Sequence, residues 1–340
     1  MSGAAAGVRV GIVGCGLMGR KRALALDGDE LIACCDADPV RAGALAGDFG
    51  AEVVEDIEAL VAAGPDVVIV AVPHEQLAPL ACRVLEAGAH VLVEKPAGIG
   101  VAQMDDIKAA AQRAGRVVKV GFNHRFHPAI ARLAAEARSG RFGAPMFLRA
   151  RYGHGGRVGY EREWRARFDT AGGGELVDQG MHLLDLSHWI MGPLPLHSAL
   201  LRTNFWAVEV EDNAALLLGE PGRRDAPWSM LHVSWTEWKN MFSLELYCAT
   251  GKLQVDGLAG SYGPQSLRIY AMSPELGPPE LEQIDYPPED VSWRQEWRAV
   301  RAAVRGEGQQ AGDLDAARYA WARVQDAYAG SPYTPAGAPA

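Results

Sequence analysis

The sequence predicts an α/β protein with two dissimilar halves, and three observations carry that expectation. From Val8 to about residue 126, apolar strand-like runs alternate with helical segments, the rhythm of a doubly wound parallel sheet. The first of these runs leads straight into a glycine-rich turn, Gly14-Cys15-Gly16-Leu17-Met18-Gly19. Beyond residue 140 the apolar residues recur with a period of two, as in strands covered on one face only. A chain of 340 residues is expected to form two domains. Residues 1–126 form the dinucleotide-binding domain. Residues 127–330 form an α/β domain with a largely antiparallel open sheet, for substrate binding and possible oligomerisation, and 331–340 form a flexible tail.

The first half justifies its elements in order. VRVGIV, residues 8–13, is apolar enough for a buried parallel strand. In the turn after it, Gly14 allows the sharp bend, Gly16 admits a pyrophosphate to the backbone, and Gly19 lets the next helix pack closely. Leu17 and Met18 open that helix, whose free N–H groups point at phosphate. ELIACCDAD, residues 30–38, is a second strand ending at Asp36, 22 positions after Gly14. A carboxylate there bonds the ribose hydroxyls and repels a 2′-phosphate, so the spacing favours NAD(H) over NADP(H). PDVVIVAVP (65–73) is a third strand, 75–87 a helix stopped by Gly88, and HVLVEKP (90–96) a fourth strand. Residues 103–115 form a helix closed by Gly115, and VVKVGFNHRF (117–126) resumes as a strand. This is the Rossmann pattern. Its crevice lies at the C-terminal strand ends, which carry Val72-Pro73, Glu94-Lys95-Pro96 and Asn123-His124-Arg125.

In the second half, 128–140 is a helix and the stretch from Pro145 is a strand. Residues 153–174 form either a loop over a pocket or an irregular connection anchored by Trp164 and Phe168. Arg151, Arg157, Arg162, Arg165 and Arg167 make this stretch basic, which allows a phosphate-bearing substrate. GGGELVDQGMHLLDLSHWI, residues 172–190, leads three glycines into a helix. There Asp178, His182 and Asp185 share one stripe at i, i+4 and i+7, while His188 falls off it. Glu175 lies near the helix start, where a carboxylate serves as a cap. Further strands are expected at 212–218, 230–238, 242–249 and 267–272, with helices at 293–306 and 313–330, the last capped by Asp313.

Composition narrows the function. Hydrophobic residues at 49% and charged residues at 22% exclude a disordered chain. A net charge of −9 argues against a nucleic-acid surface. The five cysteines form no CxxC pair and no disulfide framework, as in a reducing compartment. The opening MSGAAAGVRV lacks the pattern of a secretory leader, and no apolar run reaches the roughly 20 residues of a membrane helix. A cytoplasmic protein without membrane or nucleic-acid partners is expected. No metal is expected either: HExxH and cysteine pairs are absent, and His182 and His188 are mismatched on a helix.

VEKP, GFNHRF and GGGELVDQGMH, in that order behind the glycine turn, resemble the Gfo/Idh/MocA oxidoreductase family, which includes inositol and sugar dehydrogenases. The resemblance runs from Val8 to about Gly330. It implies a catalytic group of Lys95, Asp178 and His182, with Asp185 supporting the helix. It implies cofactor contacts from Gly14, Gly16, Leu17, Met18, Gly19, Asp36, Pro73, Glu94 and Lys95. Substrate contacts come from Lys95, Asn123, Arg125, Asp178 and His182. One departure is clear: a histidine that relatives carry four residues after the third strand's proline is Leu77 here, and His74 instead follows Pro73. The implied reaction is NAD-dependent oxidation of a secondary hydroxyl on a cyclitol, sugar or amino-sugar, an aminoglycoside included, with hydride passing to nicotinamide C4. The alternatives are a ketosugar or nucleotide-sugar reductase and a non-catalytic NAD sensor. Partners are then a small polyhydroxylated substrate and, through the sheet face, further copies of the chain.

Overall fold

The computed structural model describes residues 7–308, 313–333 and 335. Two compact units emerge: Phe122 and everything before it together with Trp293–Arg318, and Asn123–Ser292 together with the residues from Tyr319 on. A single boundary near residue 126 therefore misses one feature, the return of 293–318 to the first unit.

The first unit contains β1 (Arg9–Val13), α1 (Leu17–Leu24), β2 (Glu30–Cys35), α2 (Pro39–Phe49), β3 (Glu52–Val53), α3 (Ile57–Ala62), β4 (Val67–Val70), α4 (His74–Glu86), β5 (His90–Val93), α5 (Val101–Ala114) and β6 (Val118–Val120). The strand order is β3-β2-β1-β4-β5-β6, all parallel. The order reverses between β1 and β4, which opens a crevice at their C-terminal ends. Central strands are apolar on both faces because helices cover both; all four residues of β4 are buried. The α2, β3 and α3 segment has a weak apolar period and its local caps carry it: Asp38 accepts the Val40 N–H and Gly50 ends α2 in the left-handed region. The strand expected over 117–126 is shorter. β6 ends at Val120, and Asn123–Phe126 coil into a 3-10 turn. Pro128 opens the next helix, lacking the N–H a continued strand would need.

The second unit contains α6 (Pro128–Ser139), β7 (Pro145–Gly153), α7 (Phe168–Ala171), α8 (Glu175–Asp178), α9 (Gly180–Met191), β8 (Leu196–Arg202), β9 (Asn213–Gly219), β10 (Trp228–Ser234), β11 (Met241–Cys248), β12 (Gly251–Asp256), β13 (Ser266–Ala271) and β14 (Glu280–Asp285). Its eight strands run β14-β13-β12-β11-β7-β10-β9-β8, antiparallel except for β10 beside β7. α6 packs on β12 and β13, and α9 packs on β7 and β10. Leu148, Ala150, Leu244, Leu246, Leu253 and Val255 are buried, as the period of two demands. Alternate positions carry an aromatic ladder in which Phe147 stacks on Trp228 and Tyr247, with centroids 4.9 and 4.1 Å away.

The last two helices are α10 (Ser292–Val304) and α11 (Asp313–Ala329). α10 completes the first unit's core: Trp297 and Val300 join Val10, Ile12, Leu31 and Leu92. The Trp297 indole N–H donates to Asp29 Oδ2 at 2.8 Å, which satisfies its one polar atom. Asp313 is the first residue of α11, and its carboxylate lies 3.1 Å from Lys119 Nζ.

Candidate active site

In the first unit the glycine turn is shaped by contacts that exclude any side chain. Gly14 has φ +91°, and a Cβ there would sit 2.3 Å from the Ala71 carbonyl oxygen. A Cβ on Gly19 would sit 2.0 Å from the Gly14 oxygen, so α1 can approach this closely only with glycine there. Gly16 caps α1 without any side chain, so nothing from the cap covers the first-turn N–H donors that Leu17 and Met18 begin. This is a backbone cradle for an anion. Asp36 stands at the end of β2. Its Oδ2 accepts the Cys15 N–H at 2.6 Å and its Oδ1 accepts the Asp38 N–H at 2.8 Å. Each carboxylate oxygen has a second lone pair for a ribose hydroxyl. The cradle and the acid together fit a dinucleotide.

Pro73 caps α4 after β4. Lys95 follows β5, half-buried, and its bond to Pro96 is cis. Glu94, beside it, is buried and held 2.5 Å from Arg22 Nε of α1. The other arm of Arg22 pairs with the buried Glu296 of α10. Glu94 thus ties down the turn that carries Lys95. Two carboxylates share one guanidinium. Burial pushes the Glu296 carboxyl up to about 7, against the pull of Arg22.

In the second unit, the expected single helix is two. α8 ends at Asp178, Gln179 interrupts, and α9 starts at Gly180. Asp178 and His182 therefore do not share one continuous i, i+4 stripe. The cap of α8 is also not Glu175. Glu211, distant in sequence and fully buried, accepts the Gly174 N–H at 3.1 Å and the Leu176 N–H at 3.0 Å. The Tyr328 hydroxyl also donates to it. A Cβ on Gly174 would lie 2.0 Å from the Glu211 carbonyl oxygen, which explains the third glycine of the motif. Burial pushes the Glu211 carboxyl up to about 7, while the Tyr328 hydroxyl and the backbone donors hold it down.

Glu175 is instead enclosed within the unit, with no exposure, and gathers with His154 and Asp178. One candidate ligand atom from each lies within 4.8 Å of the others. His154 Nδ1 accepts the Gly156 N–H at 2.9 Å, so the neutral ring carries its proton on Nε2. The ring then offers a donor to carboxylates, not a lone pair to a metal. Arg165 Nε stands 3.7 Å from Asp178 Oδ2. The Tyr152, Tyr160 and Tyr262 phenols are pushed up by burial, with Asp178 and Glu175 adding to the shift; Tyr262 reaches about 12.

His182 is buried and stacks on His124, with centroids 3.7 Å apart and planes at 22°. Arg125 meets the fully buried Asp185 through both Nε, at 2.8 Å to Oδ2, and Nη2. Asn123 Nδ2 donates to Ser292 Oγ at 2.9 Å, and its Oδ1 meets His124 Nδ1 at 3.1 Å. Asn123 and Arg125, expected to touch substrate, carry these framework contacts to Ser292, His124 and Asp185. His188 stacks on Tyr319, with centroids 4.3 Å apart. In the basic segment, Arg157 pairs with Glu163 at 2.6 Å and Arg167 with Asp169 at 2.9 Å. Part of the segment's charge is neutralised by these pairs. Tyr160, Val210 and Trp235 form a buried hydrophobic cluster with the segment's Phe168 packed against it.

Sequence reasoning missed Glu211, Tyr328, His154 and Ser292. The one available signal was the acidic pair Glu211-Asp212 set directly before an apolar strand. Among the described residues, no helix is long and apolar enough to cross a membrane.

A dinucleotide cradle on a parallel sheet, followed by a unit that sets a half-buried Asp and a buried His beside an open antiparallel sheet, defines the architecture of a two-domain oxidoreductase. Residues 8–122 match the family described as an oxidoreductase family with an NAD-binding Rossmann fold, and residues 130–254 match the Gfo/Idh/MocA C-terminal domain. The chain belongs to the Gfo/Idh/MocA family. A D-apiose dehydrogenase of Paraburkholderia graminis is 31% identical over 225 residues, 61% of this chain and 56% of the relative. Inositol 2-dehydrogenase 1 of Saccharopolyspora erythraea is 29% identical over 222 residues, 63% of this chain and 62% of its own. The matches thus span little more than half the length of these curated relatives. The structure of GenD2, from gentamicin A biosynthesis and solved in complex with NAD, superposes with a TM-score of 0.81 at 25% identity, covering 96% of this chain and 94% of that one.

Proposed function

We propose that the chain is an NAD-dependent dehydrogenase that oxidises a ring secondary hydroxyl on a cyclitol, sugar or amino-sugar. The observation that carries this reading is the joint presence of the Gly14–Gly19 cradle with Asp36 and of a half-buried Asp178 and a buried His182 on a fixed framework. Gly14, Gly16, Leu17, Met18 and Gly19 would hold the pyrophosphate, and Asp36 the adenosine ribose. NAD, when bound, supplies a hydride acceptor at nicotinamide C4. His182 takes the hydroxyl proton, a task suited to an imidazole whose ordinary pKa is about 6.5. Asp178 orients the substrate or the imidazole. The Lys95 ammonium stabilises charge developing on the reacting oxygen. In the reverse direction a protonated His182 returns the proton to a carbonyl.

Among these substrates, an amino-sugar has the best support. Glu163 and Asp169 pair with Arg157 and Arg167 of the basic segment, which weakens the case for a phosphate, while Glu175 and Asp178 gather as acids beside His154. GenD2 points the same way by its place in gentamicin biosynthesis. The ladder of Phe147, Trp228 and Tyr247 on the sheet favours pairing with a second copy of the chain, in a cytoplasmic setting. The test is a nicotinamide absorbance screen in both directions with myo-inositol, a methyl glucoside, UDP-N-acetylglucosamine and an aminoglycoside. NADH formation with an identified keto product is expected. NAD binding without reduction by any of them would favour a sensor instead.

A further inference from the structure

We propose that His124 is a positioning residue that fixes the ring of His182 by stacking and is itself fixed by a relay running to Asp290. The proposal rests on the reading of His182 as the proton-transfer group and adds a device that governs it. The relay can be followed atom by atom. Ser292 Oγ donates to Asp290 Oδ1 at 2.6 Å. Having given its proton there, Ser292 Oγ accepts from Asn123 Nδ2 at 2.9 Å. That orients the Asn123 amide and leaves Oδ1 facing His124 Nδ1 at 3.1 Å. An amide oxygen only accepts, so the His124 proton belongs on Nδ1. The same assignment at Ser292 is supported by the Ser292 N–H, which also donates to Asp290 Oδ1, at 3.0 Å.

The fixed ring then meets its neighbours. His182 lies face to face on it at 3.7 Å and 22°. His127 meets it edge to face, 5.4 Å away at 88°, and Tyr152 lies 5.1 Å away. Tyr152 also closes on His182, at 6.2 Å. His124 is thus gripped on several sides, and its flat face is the wall that sets the plane of His182. Asn123, His124 and His182 are buried, so the arrangement is packed and not a surface encounter. A proton-transfer group gains rate from a ring held in one plane before substrate arrives.

The test uses NAD-saturated protein labelled with ¹⁵N in histidine. Nitrogen shifts report the tautomer of His182, whose signals are assigned by their loss in H182A. One dominant tautomer is expected in the unaltered protein, an averaged one in H124A, and partly averaged ones in S292A and in H124F, which keeps a flat ring without the hydrogen bond. In parallel, H124A should lower kcat about tenfold with the panel compound turned over fastest, at little change in KM, and H124F should recover part of it. Unchanged His182 shifts in H124A overturn the proposal, as do altered shifts with unaltered kcat. Failure of the underlying reading is seen separately: if H182A turns over normally, His182 transfers no proton and the proposal falls with it. H124F guards against a folding defect in H124A.

Discussion

The two units hold their candidate functional residues in opposite ways. In the first, the cofactor-type groups sit on short consecutive stretches: a turn between β1 and α1, the end of β2, the ends of β4 and β5. In the second, each group depends on partners far away in sequence. Asp178 hangs from a helix capped by Glu211 and Tyr328, and His182 leans on a ring tied to Ser292 and Asp290. A cofactor common to many reactions is bound by backbone geometry that a local motif can encode. A particular substrate needs side chains gathered from many places. The first unit should therefore lose one function per substitution, and the second should lose stability and rate together.

After His182, the largest expected effect is on Lys95. Lys95→Ala should lower kcat by about a hundredfold, the scale of a lost charge-stabilising donor, while NAD affinity by fluorescence stays within about threefold. An equal loss of NAD affinity would make Lys95 a binding group and blur the contrast. Next is Gly174→Ala, which forces a Cβ against the Glu211 carbonyl oxygen. A loss of about 2 kcal/mol in the second unit is expected by thermal or urea unfolding, with the NAD dissociation constant unmoved. Loss of NAD binding there would break the separation of roles.

Gly14→Ala should weaken NAD binding at least about tenfold, because a side chain at φ +91° is strained by about 1–2 kcal/mol before its clash with Ala71 is counted. Calorimetric titration measures it. Asp36→Ser should narrow the preference for NAD over NADP by about tenfold in kcat/KM, one charge repulsion's worth. Faster turnover with NADP in the unaltered protein would remove Asp36 as the selector.

The smallest effect is a pH slope. The folded Glu211 carboxyl, pushed up to about 7 from its ordinary 4.5, holds its proton more tightly than the unfolded one. Its contribution to stability is full below the ordinary value and is lost as pH rises toward 7. Glu296 in the first unit behaves likewise. Glu211→Gln should flatten the fall in Tm across that window by ~1–3 °C without abolishing it, since Glu296 remains. No flattening would mean that Glu211 stays ionised in the fold.

The same contrast explains what could be read from the amino-acid order. Strand-turn-helix units, Gly14, Gly19 and Asp36 were legible because each answers to its immediate neighbours. The antiparallel sheet was legible through its period of two, although β8 and the exposed β14 carried too little pattern to be singled out, and β12 was passed over even with Leu253 and Val255 alternating with Lys252, Gln254 and Asp256. The unbroken helix over Asp178 and His182 was not upheld, because a break at Gln179 costs a helix pattern nothing. Glu175 was taken for a cap because it stands where caps stand. The cap that holds, Glu211, lies 35 residues past Leu176, beyond the reach of local spacing. Asn123 and Arg125 had the right chemistry for a sugar hydroxyl, and only the fold reveals Ser292 and Asp185 as their partners.

The most direct test of the central claim is His182→Ala compared with the unaltered protein, with NAD binding and NADH formation measured on the same samples. The account predicts an unchanged NAD dissociation constant and a turnover reduced by a hundredfold or more, roughly the worth of a general base. Turnover at the unaltered rate would contradict it.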